Sequence, residues 1–88
     1  MRSALITGTS SGIGLATAVV LASRGWRVFA TMRNLQKRSA LEHALRAAGM
    51  QDNVDIQELD VTRFESIQAA TASIMARTGN TLDAVVHN

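Results

Sequence analysis

Short apolar runs alternate with longer stretches of helical periodicity along the whole chain. Residues 4–6 form a continuous apolar run, which predicts a strand buried on both faces. Residues 26–31 are rich in β-forming side chains and predict a second strand, and residues 82–87 predict a fourth. Residues 54–59 alternate apolar and polar side chains less cleanly, so the third strand is expected to be partly exposed.

Three helices are predicted between these strands, and each is followed by a glycine that ends it: Gly25, Gly49 and Gly79. The first helix covers residues 12–24. Its apolar positions are Ile13, Ala16, Val20 and Leu21, and those of the second helix are Leu41, Ala44, Leu45 and Ala48. The third helix is predicted to open with a capping box, in which the Thr62 hydroxyl accepts a hydrogen bond from the Glu65 N–H. Its predicted inward positions are Phe64, Ile67, Ala70, Thr71 and Ile74.

The predicted order is therefore β-α-β-α-β-α-β, which is typical of a parallel sheet with right-handed crossovers and helices on its faces. The chain has 88 residues, enough for one small domain. With a strand order of 3-2-1-4, the fourth strand leaves an apolar edge at residues 84–86. We expect the 88 residues alone to be poorly folded or self-associating.

Composition narrows the function classes. Hydrophobic residues make up 47% of the chain and charged residues 18%, which predicts a folded domain. The net charge is +2, the basic residues are scattered and only three residues are aromatic, so a nucleic-acid partner is not expected. The absence of cysteine excludes disulfides and thiolate metal sites. The longest apolar run, residues 16–22, is too short for a membrane span, and no secretory signal is recognised, which predicts a soluble, cytoplasmic protein.

A glycine-rich turn lies where the first strand meets the first helix, within the stretch 5–14 (LITGTSSGIG). Gly8 allows a sharp turn through positive φ. Gly12 lets a pyrophosphate approach the positive end of the helix dipole, and Gly14 lets the helix lie close on the sheet. Ser10 and Ser11 add hydroxyl donors and helix-capping groups. The alternative is that the glycines serve only a tight turn.

The glycine spacing is G-x-x-x-G-x-G, which is neither a P-loop nor the common G-x-G-x-x-G fingerprint. Residues 7–14 (TGTSSGIG) resemble the TGxxxGxG motif of the short-chain dehydrogenases/reductases, in the non-extended branch. The resemblance continues through Asp60-Val61 and through residues 83–88 (DAVVHN). It implies a Rossmann-type parallel α/β sheet, in which residues 1–88 are the N-terminal part of one NAD(P)-binding domain, truncated after the fourth strand.

The choice of cofactor is predicted from the end of the second strand, where an acid bonds the ribose 2′-OH of NAD and an arginine accommodates the 2′-phosphate of NADP. Met32 stands at the position of the acid, and Arg33 follows it. A guanidinium group can hold a phosphate through two hydrogen bonds. We therefore predict that NADP(H) is favoured over NAD(H). The alternative is that Arg33 is a solvated loop cation.

The resemblance implies the remaining cofactor contacts. Asp60 bonds the adenine amino group, the Val61 backbone touches the adenine ring, and Asn88 lies near the ribose at the switch point between strands one and four. Asp60 could instead, or in addition, cap the following turn. The complete set of predicted cofactor-binding residues is Gly8, Thr9, Ser10, Ser11, Gly12, Ile13, Gly14, Arg33, Asp60, Val61 and Asn88. His87 departs from the family's Asn-Asn-Ala-Gly motif and is given no catalytic role, and His43 is expected to face solvent.

The family's reaction depends on a Ser, a Tyr and a Lys in a Tyr-x-x-x-Lys arrangement, and this chain contains no tyrosine and only one lysine, Lys37. No catalytic or metal-binding residue is therefore assigned, and the 88 residues are expected to be inactive alone, as an N-terminal fragment or an incompletely recorded chain.

The predicted function is the NADP(H)-binding half of an oxidoreductase that transfers hydride between the cofactor and a small-molecule alcohol or carbonyl. The TSSGIG and ATMRN segments are most similar to hydroxysteroid, retinol or carbonyl reductase-like members, and the family implies a homo-oligomer. Two alternatives are a non-catalytic NADP-binding sensor of the same fold and a methyltransferase. The glycine spacing and the missing acid at Met32 count against the methyltransferase.

Overall fold

Strands and helices alternate along the chain in the computed structural model, which describes residues 1–79 and 81–88. The elements are β1 (Ser3–Ile6), α1 (Gly12–Ser23), β2 (Arg27–Met32), α2 (Ser39–Ala48), β3 (Val54–Glu58), α3 (Phe64–Thr78) and β4 (Ala84–Val86). Short 3-10 turns at Leu35–Lys37 and Gln51–Asn53 precede α2 and β3. The β-α-β-α-β-α-β order predicted from the sequence is confirmed.

The four strands form one parallel sheet in the order β3-β2-β1-β4. Leu5 on β1 is paired with Phe29 on β2 and with Val85 on β4, so β1 occupies the middle of the sheet. β3 forms one edge, and its first four residues are half-buried, as predicted for a partly exposed strand. The predicted strand order is confirmed as well.

The main core lies between the sheet and the pair of helices α1 and α2. Its buried residues are Ile6, Ala18, Ala22, Val28, Ala30, Met32, Leu41 and Leu45. On α1 the buried positions are Gly14, Ala18 and Ala22, whereas Ile13 and Val20 are 78% and 50% exposed. The larger apolar residues of this helix therefore do not mark its buried face. The buried face is instead a stripe of small residues repeating every four positions, which lets the helix approach the strands more closely.

Helix α3 packs against the sheet through a narrow stripe at Ser66, Ala70 and Ile74. The predictions for Ala70 and Ile74 are confirmed. The predicted inward positions of Phe64, Ile67 and Thr71 are wrong, since all three are exposed, Phe64 by 70%. Ile67 borders the buried stripe, and Phe64 and Thr71 lie further round the helix, because successive residues are rotated by about 100°.

Two further boundaries differ from those predicted. β2 begins at Arg27, after Trp26, and extends to Met32, whereas β4 is confined to Ala84–Val86. No helix in the described part of the chain combines the length and the apolar character that a membrane crossing needs.

Candidate cofactor site

All the segments predicted to bind the cofactor follow the carboxyl end of a strand, and these ends meet at one edge of the parallel sheet. The glycine turn follows β1, Arg33 follows β2, Asp60-Val61 follows β3 and Asn88 follows β4. The chain leaves β1 toward β2 on one side and reaches β4 on the other, so this edge contains the point where strand order reverses. Ligands of open α/β sheets bind at such a switch point.

A groove of about 240 Å³ lies at this edge. It is lined by four of the predicted residues, Gly8, Arg33, Val61 and Asn88, and by Thr7, Leu59 and His87. The predicted set of cofactor-binding residues did not include Thr7, Leu59 or His87. These three residues directly precede Gly8, Asp60 and Asn88, and that adjacency was the signal that could have found them. The structure thus brings the segments of all four strand ends to one surface.

The three glycines of the turn meet different geometric demands. Gly8 and Gly12 have φ values of +65° and +61°, the left-handed region that favours glycine. Gly14 lies inside α1, and a Cβ built on it would come within 2.1 Å of the Gly8 carbonyl oxygen. The expectation that Gly8 turns through positive φ and that Gly14 allows close packing is confirmed.

The amino end of α1 presents backbone donors to the site. Within this helix the Leu15 N–H donates to the Ser11 carbonyl, so the N–H groups of Gly12, Ile13 and Gly14 precede the first intrahelical bond. Ser11 is the N-cap residue, yet its hydroxyl makes no capping bond, and the first turn contains no acid. A Cβ on Gly12 would meet no atom within 4 Å, so the space in front of the helix is open. This end fits the diphosphate of a dinucleotide.

Other loop residues point in different directions. Ser10 is half-buried, Ser11 is exposed and Ile13 is 78% exposed. Thr9 is fully buried, and both its N–H and its hydroxyl donate to the Thr31 carbonyl oxygen, at 3.1 and 3.0 Å. The side chain of Thr9 is therefore turned into the protein, although the residue was predicted to bind the cofactor.

Asn88 ties the end of β4 to the glycine turn. Its backbone N–H donates to the Thr7 hydroxyl at 2.9 Å, and its side-chain amide donates to the Gly8 carbonyl at 3.1 Å. A Cβ on Gly14 would also come within 2.7 Å of the Asn88 amide nitrogen, which shows how tightly these residues pack. Asn88 thus supports the loop in addition to lining the groove.

The end of β2 carries a cation and no carboxylate. Met32 is 2% exposed and belongs to the core between the sheet and its helices. Arg33 follows as an exposed residue on the groove. The groove therefore carries a guanidinium group directly after β2, where a carboxylate was not expected from the sequence.

The predicted capping box at Thr62 and Glu65 is wrong. α3 begins at Phe64 with Arg63 as the N-cap, and this cap forms no side-chain hydrogen bond. The Thr62 hydroxyl and N–H both donate to Asp60 Oδ1, at 2.6 and 3.0 Å. Thr62 lies one residue before this N-cap, outside the position that a capping box requires, and its hydroxyl proton is directed to the Asp60 carboxylate, a charged acceptor. Asp60 therefore caps its own turn, the alternative left open by the sequence.

The pKa of the Asp60 carboxyl is lowered from its ordinary value, first by the hydrogen bond from the Thr62 side chain and next by that from the Thr62 backbone. The positive charges of Arg33 and Arg63 lower this pKa further, while partial burial opposes the change. Asp60 is therefore an anion at neutral pH, suited to accept a hydrogen bond from an amino group.

Ser66 supports Asp60 from α3. Its hydroxyl accepts a 2.8 Å hydrogen bond from the Asp60 N–H, and the residue is 8% exposed. This contact was not predictable from the sequence, because a single serine on a helix face carries no signal of its partner.

A larger hollow, about 370 Å³, lies between α2 and β3 and is lined by none of the predicted site residues. Its floor includes Leu45, Val54 and Ile56, and its rim includes Arg38 and Glu42, which form an ion pair. No group of three His, Cys, Asp or Glu side chains within residues 1–79 and 81–88 could hold a metal ion. The glycine-turn groove is therefore the candidate cofactor site.

The parallel sheet, the glycine turn at its switch point and the open helix end define a nucleotide-binding α/β protein of the Rossmann type. The short chain dehydrogenase family matches residues 2–88, and the chain belongs to this family. The family consists of oxidoreductases that bind a nicotinamide dinucleotide.

Similar proteins include the short-chain dehydrogenase cctT of Talaromyces islandicus, 40% identical over 89 residues, which cover 100% of this chain and 29% of the relative. Estradiol 17-beta-dehydrogenase 1 of Rattus norvegicus is 47% identical over 74 residues, which cover 80% of this chain and 22% of the relative. Among solved structures, an actinorhodin polyketide ketoreductase variant with NADPH is similar with a TM-score of 0.86 and 36% identity, over 99% of this chain and 32% of that one. The chain thus spans about a third or less of the length of these proteins.

Proposed function

We propose that this chain is the NADP(H)-binding segment of a longer oxidoreductase that transfers hydride between the nicotinamide and a small-molecule alcohol or carbonyl. This proposal rests on one observation: exposed Arg33 lies on the same groove as Gly8 and Asn88, while the preceding residue, Met32, is buried and is not an acid. Binding of a 2′-phosphate is favoured by the guanidinium charge and by the absence of a carboxylate at that position.

The chain's own residues would then divide the binding work. The N–H groups of residues 12–14 and the positive end of α1 would hold the diphosphate. Arg33 would pair with the 2′-phosphate, Asp60 would accept from the adenine amino group, and Val61 and Asn88 would contact the adenine and the ribose. The bound cofactor supplies the hydride, and the proton-transferring residues would come from outside this chain, which contains no tyrosine. This proposal includes a cytoplasmic, homo-oligomeric complete protein, both inferred from the family.

Support for NADP over NAD comes from two sources. The exposed guanidinium of Arg33 lies on the groove, and its positive charge reaches the turn after β3, where it contributes to the lowered pKa of Asp60. In addition, the similar ketoreductase was crystallised with NADPH.

The test is the Arg33→Ala substitution in the complete protein. We expect it to weaken NADPH binding by ~1–3 kcal/mol, the size of a charge-assisted contact, and to leave NADH binding nearly unchanged. Dissociation constants for both cofactors, measured by fluorescence titration at fixed ionic strength, provide the check. Arg24→Ala is the matched control, because Arg24 follows the far end of α1, at the opposite edge of the sheet. Equal losses for NADPH and NADH would contradict the assignment of Arg33.

The same cofactor-binding residues would serve a second candidate, a non-catalytic NADP-binding sensor of the same fold. The two functions differ in turnover. The complete oxidoreductase would oxidise NADPH in the presence of a carbonyl substrate and would lose this activity on substitution of a downstream tyrosine, whereas a sensor would bind NADPH without consuming it.

A further inference from the structure

A hydrogen-bonded clasp joins the glycine turn to the end of β2. Thr9 and Thr31 are 0% and 1% exposed. The Thr31 carbonyl accepts both the hydroxyl and the N–H of Thr9, and the Thr31 hydroxyl donates to the Ile6 carbonyl at 2.9 Å. A carbonyl oxygen has two lone pairs, so the Thr31 carbonyl can accept both bonds at once. We call Thr9 and Thr31, with these bonds, the threonine clasp.

The clasp uses side-chain groups that are costly to bury. A hydroxyl removed from water without a partner destabilises the protein, so each of these two buried hydroxyls needs an acceptor. The acceptors are main-chain carbonyls on β1 and β2, 25 and 22 residues away in sequence. The hydroxyls therefore act across the sheet and fix the turn against β2.

The two ends of the clasp are close in sequence to the two ends of the proposed site. Thr9 follows Gly8 in the turn that leads to the amino end of α1, and Thr31 precedes Arg33 by two residues. Both residues have polar groups that face into the protein, so they are not themselves exposed to a ligand. Their effect on binding must come through the position of the turn relative to Arg33.

We propose that Thr9 and Thr31 are positioning residues that set the spacing between the diphosphate-binding helix end and Arg33, and thereby contribute to selectivity for the 2′-phosphorylated cofactor. This inference rests on the proposed function. A cofactor with the 2′-phosphate engages both the helix end and Arg33, so a fixed spacing lowers the entropy lost on binding. A cofactor without that phosphate engages only the first, and gains little from the spacing.

The test compares Thr9→Val with Thr9→Ser in the complete protein. Valine keeps the shape of threonine and removes the hydroxyl, whereas serine keeps the hydroxyl. We expect Thr9→Val to raise the NADPH dissociation constant about fivefold to tenfold, the effect of one lost hydrogen bond, and to change that of NADH less than about twofold. Thr9→Ser should restore NADPH binding. Thr81→Val is the control, since it removes a local hydroxyl–carbonyl bond at the end of α3, at the opposite edge of the sheet.

A double variant tests the link to Arg33. In an Arg33→Ala background, Thr9→Val should affect NADPH and NADH equally, because the 2′-phosphate has lost its partner. If Thr9→Val does not fold, Thr31→Val replaces it, since it removes the bond to Ile6 and leaves the Thr31 carbonyl in place. Equal losses of NADPH and NADH in the single variant would overturn the positioning role alone. A wild-type protein that shows no preference for NADPH would overturn the proposed function itself.

Discussion

Asp60 holds its turn through one carboxylate oxygen, which accepts both the hydroxyl and the N–H of Thr62. Its backbone N–H is held in turn by the buried Ser66 hydroxyl. These bonds link Asp60 to its own turn and to helix α3. Asp60 lies in sequence between Leu59 and Val61, which line the groove. At the residue scale, the adenine end of the proposed site is a preformed turn rather than a free loop.

This arrangement predicts how the Asp60 carboxyl titrates. Thr62→Val removes the largest cause of the lowered pKa, so we expect the pKa of Asp60 to rise while remaining below its ordinary value, because the Thr62 N–H still donates. Carboxyl-carbon NMR titration of the complete protein measures the change. Thr71→Val, an exposed threonine further along α3, serves as the control. An unchanged Asp60 pKa in Thr62→Val would show that the hydroxyl does not bond this carboxylate in solution.

The sign of the accompanying stability effect follows from the direction of the shift. Because folding lowers the pKa of Asp60, the contact with Thr62 stabilises the folded protein at pH values above the ordinary carboxyl pKa. This stabilisation is lost as the pH falls through the lowered folded-state value. The difference in stability between the wild type and Thr62→Val should therefore be largest near neutral pH and disappear in acid.

The sequence could predict which residues lie at the site, but not the hydrogen-bond partners of individual side chains. The positions of Gly8, Arg33 and Asn88 on one groove were predictable because backbone freedom, charge and chain position identify these residues without knowledge of their neighbours. The hydrogen-bond partners of Thr9 and Thr62 could not be predicted, because a hydroxyl bonds whichever acceptor the fold brings near it. For Thr9 that acceptor is 22 residues away, and for Thr62 it is the Asp60 carboxylate, while helix α3 begins one residue too late for Thr62 to be its N-cap.

At the scale of the elements, the main constraint on the sequence is the close packing of α1 against the end of β1. The helix packs through Gly14, Ala18 and Ala22, and the Gly8 carbonyl lies where a Cβ of residue 14 would stand. Periodicity correctly located the helix but not its buried face, because the larger apolar residues Ile13 and Val20 are exposed. Periodicity predicts the buried face from the hydrophobicity of the side chains, whereas this close contact requires side chains that are small.

Gly14→Ala should therefore lower the free energy of unfolding more than Gly12→Ala does. We expect Gly14→Ala to lower the free energy of unfolding by more than about 3 kcal/mol, because the added methyl overlaps backbone atoms that cannot move aside. Gly12→Ala, which meets no atom within 4 Å, should cost only about 1–2 kcal/mol for its positive φ. Urea denaturation of the complete protein measures both. Similar costs for the two variants would contradict the close packing at Gly14.

At the scale of the whole molecule, the main feature is the open edge of the sheet at β4. The strand order and the exposed third strand were predictable because parallel β-α-β units allow few topologies. At the β4 edge, Val86 bonds β1 through its carbonyl to Thr7, so the N–H and C=O of Val85 face the open side of the sheet. The Val85 side chain is 62% exposed beside them. An apolar strand with unpaired backbone groups can pair with another chain.

The 88-residue chain expressed alone is therefore expected to self-associate through β4. Val85→Lys should reduce this association, because a lysine on an edge strand opposes pairing with a second strand. Val20→Lys adds the same charge on the exposed face of α1 and should leave the association unchanged. Sedimentation velocity over a range of concentrations distinguishes the variants. If both lysines reduced association equally, general apolar exposure would be the cause, and a monomeric wild-type chain with a cooperative melt would refute edge pairing altogether.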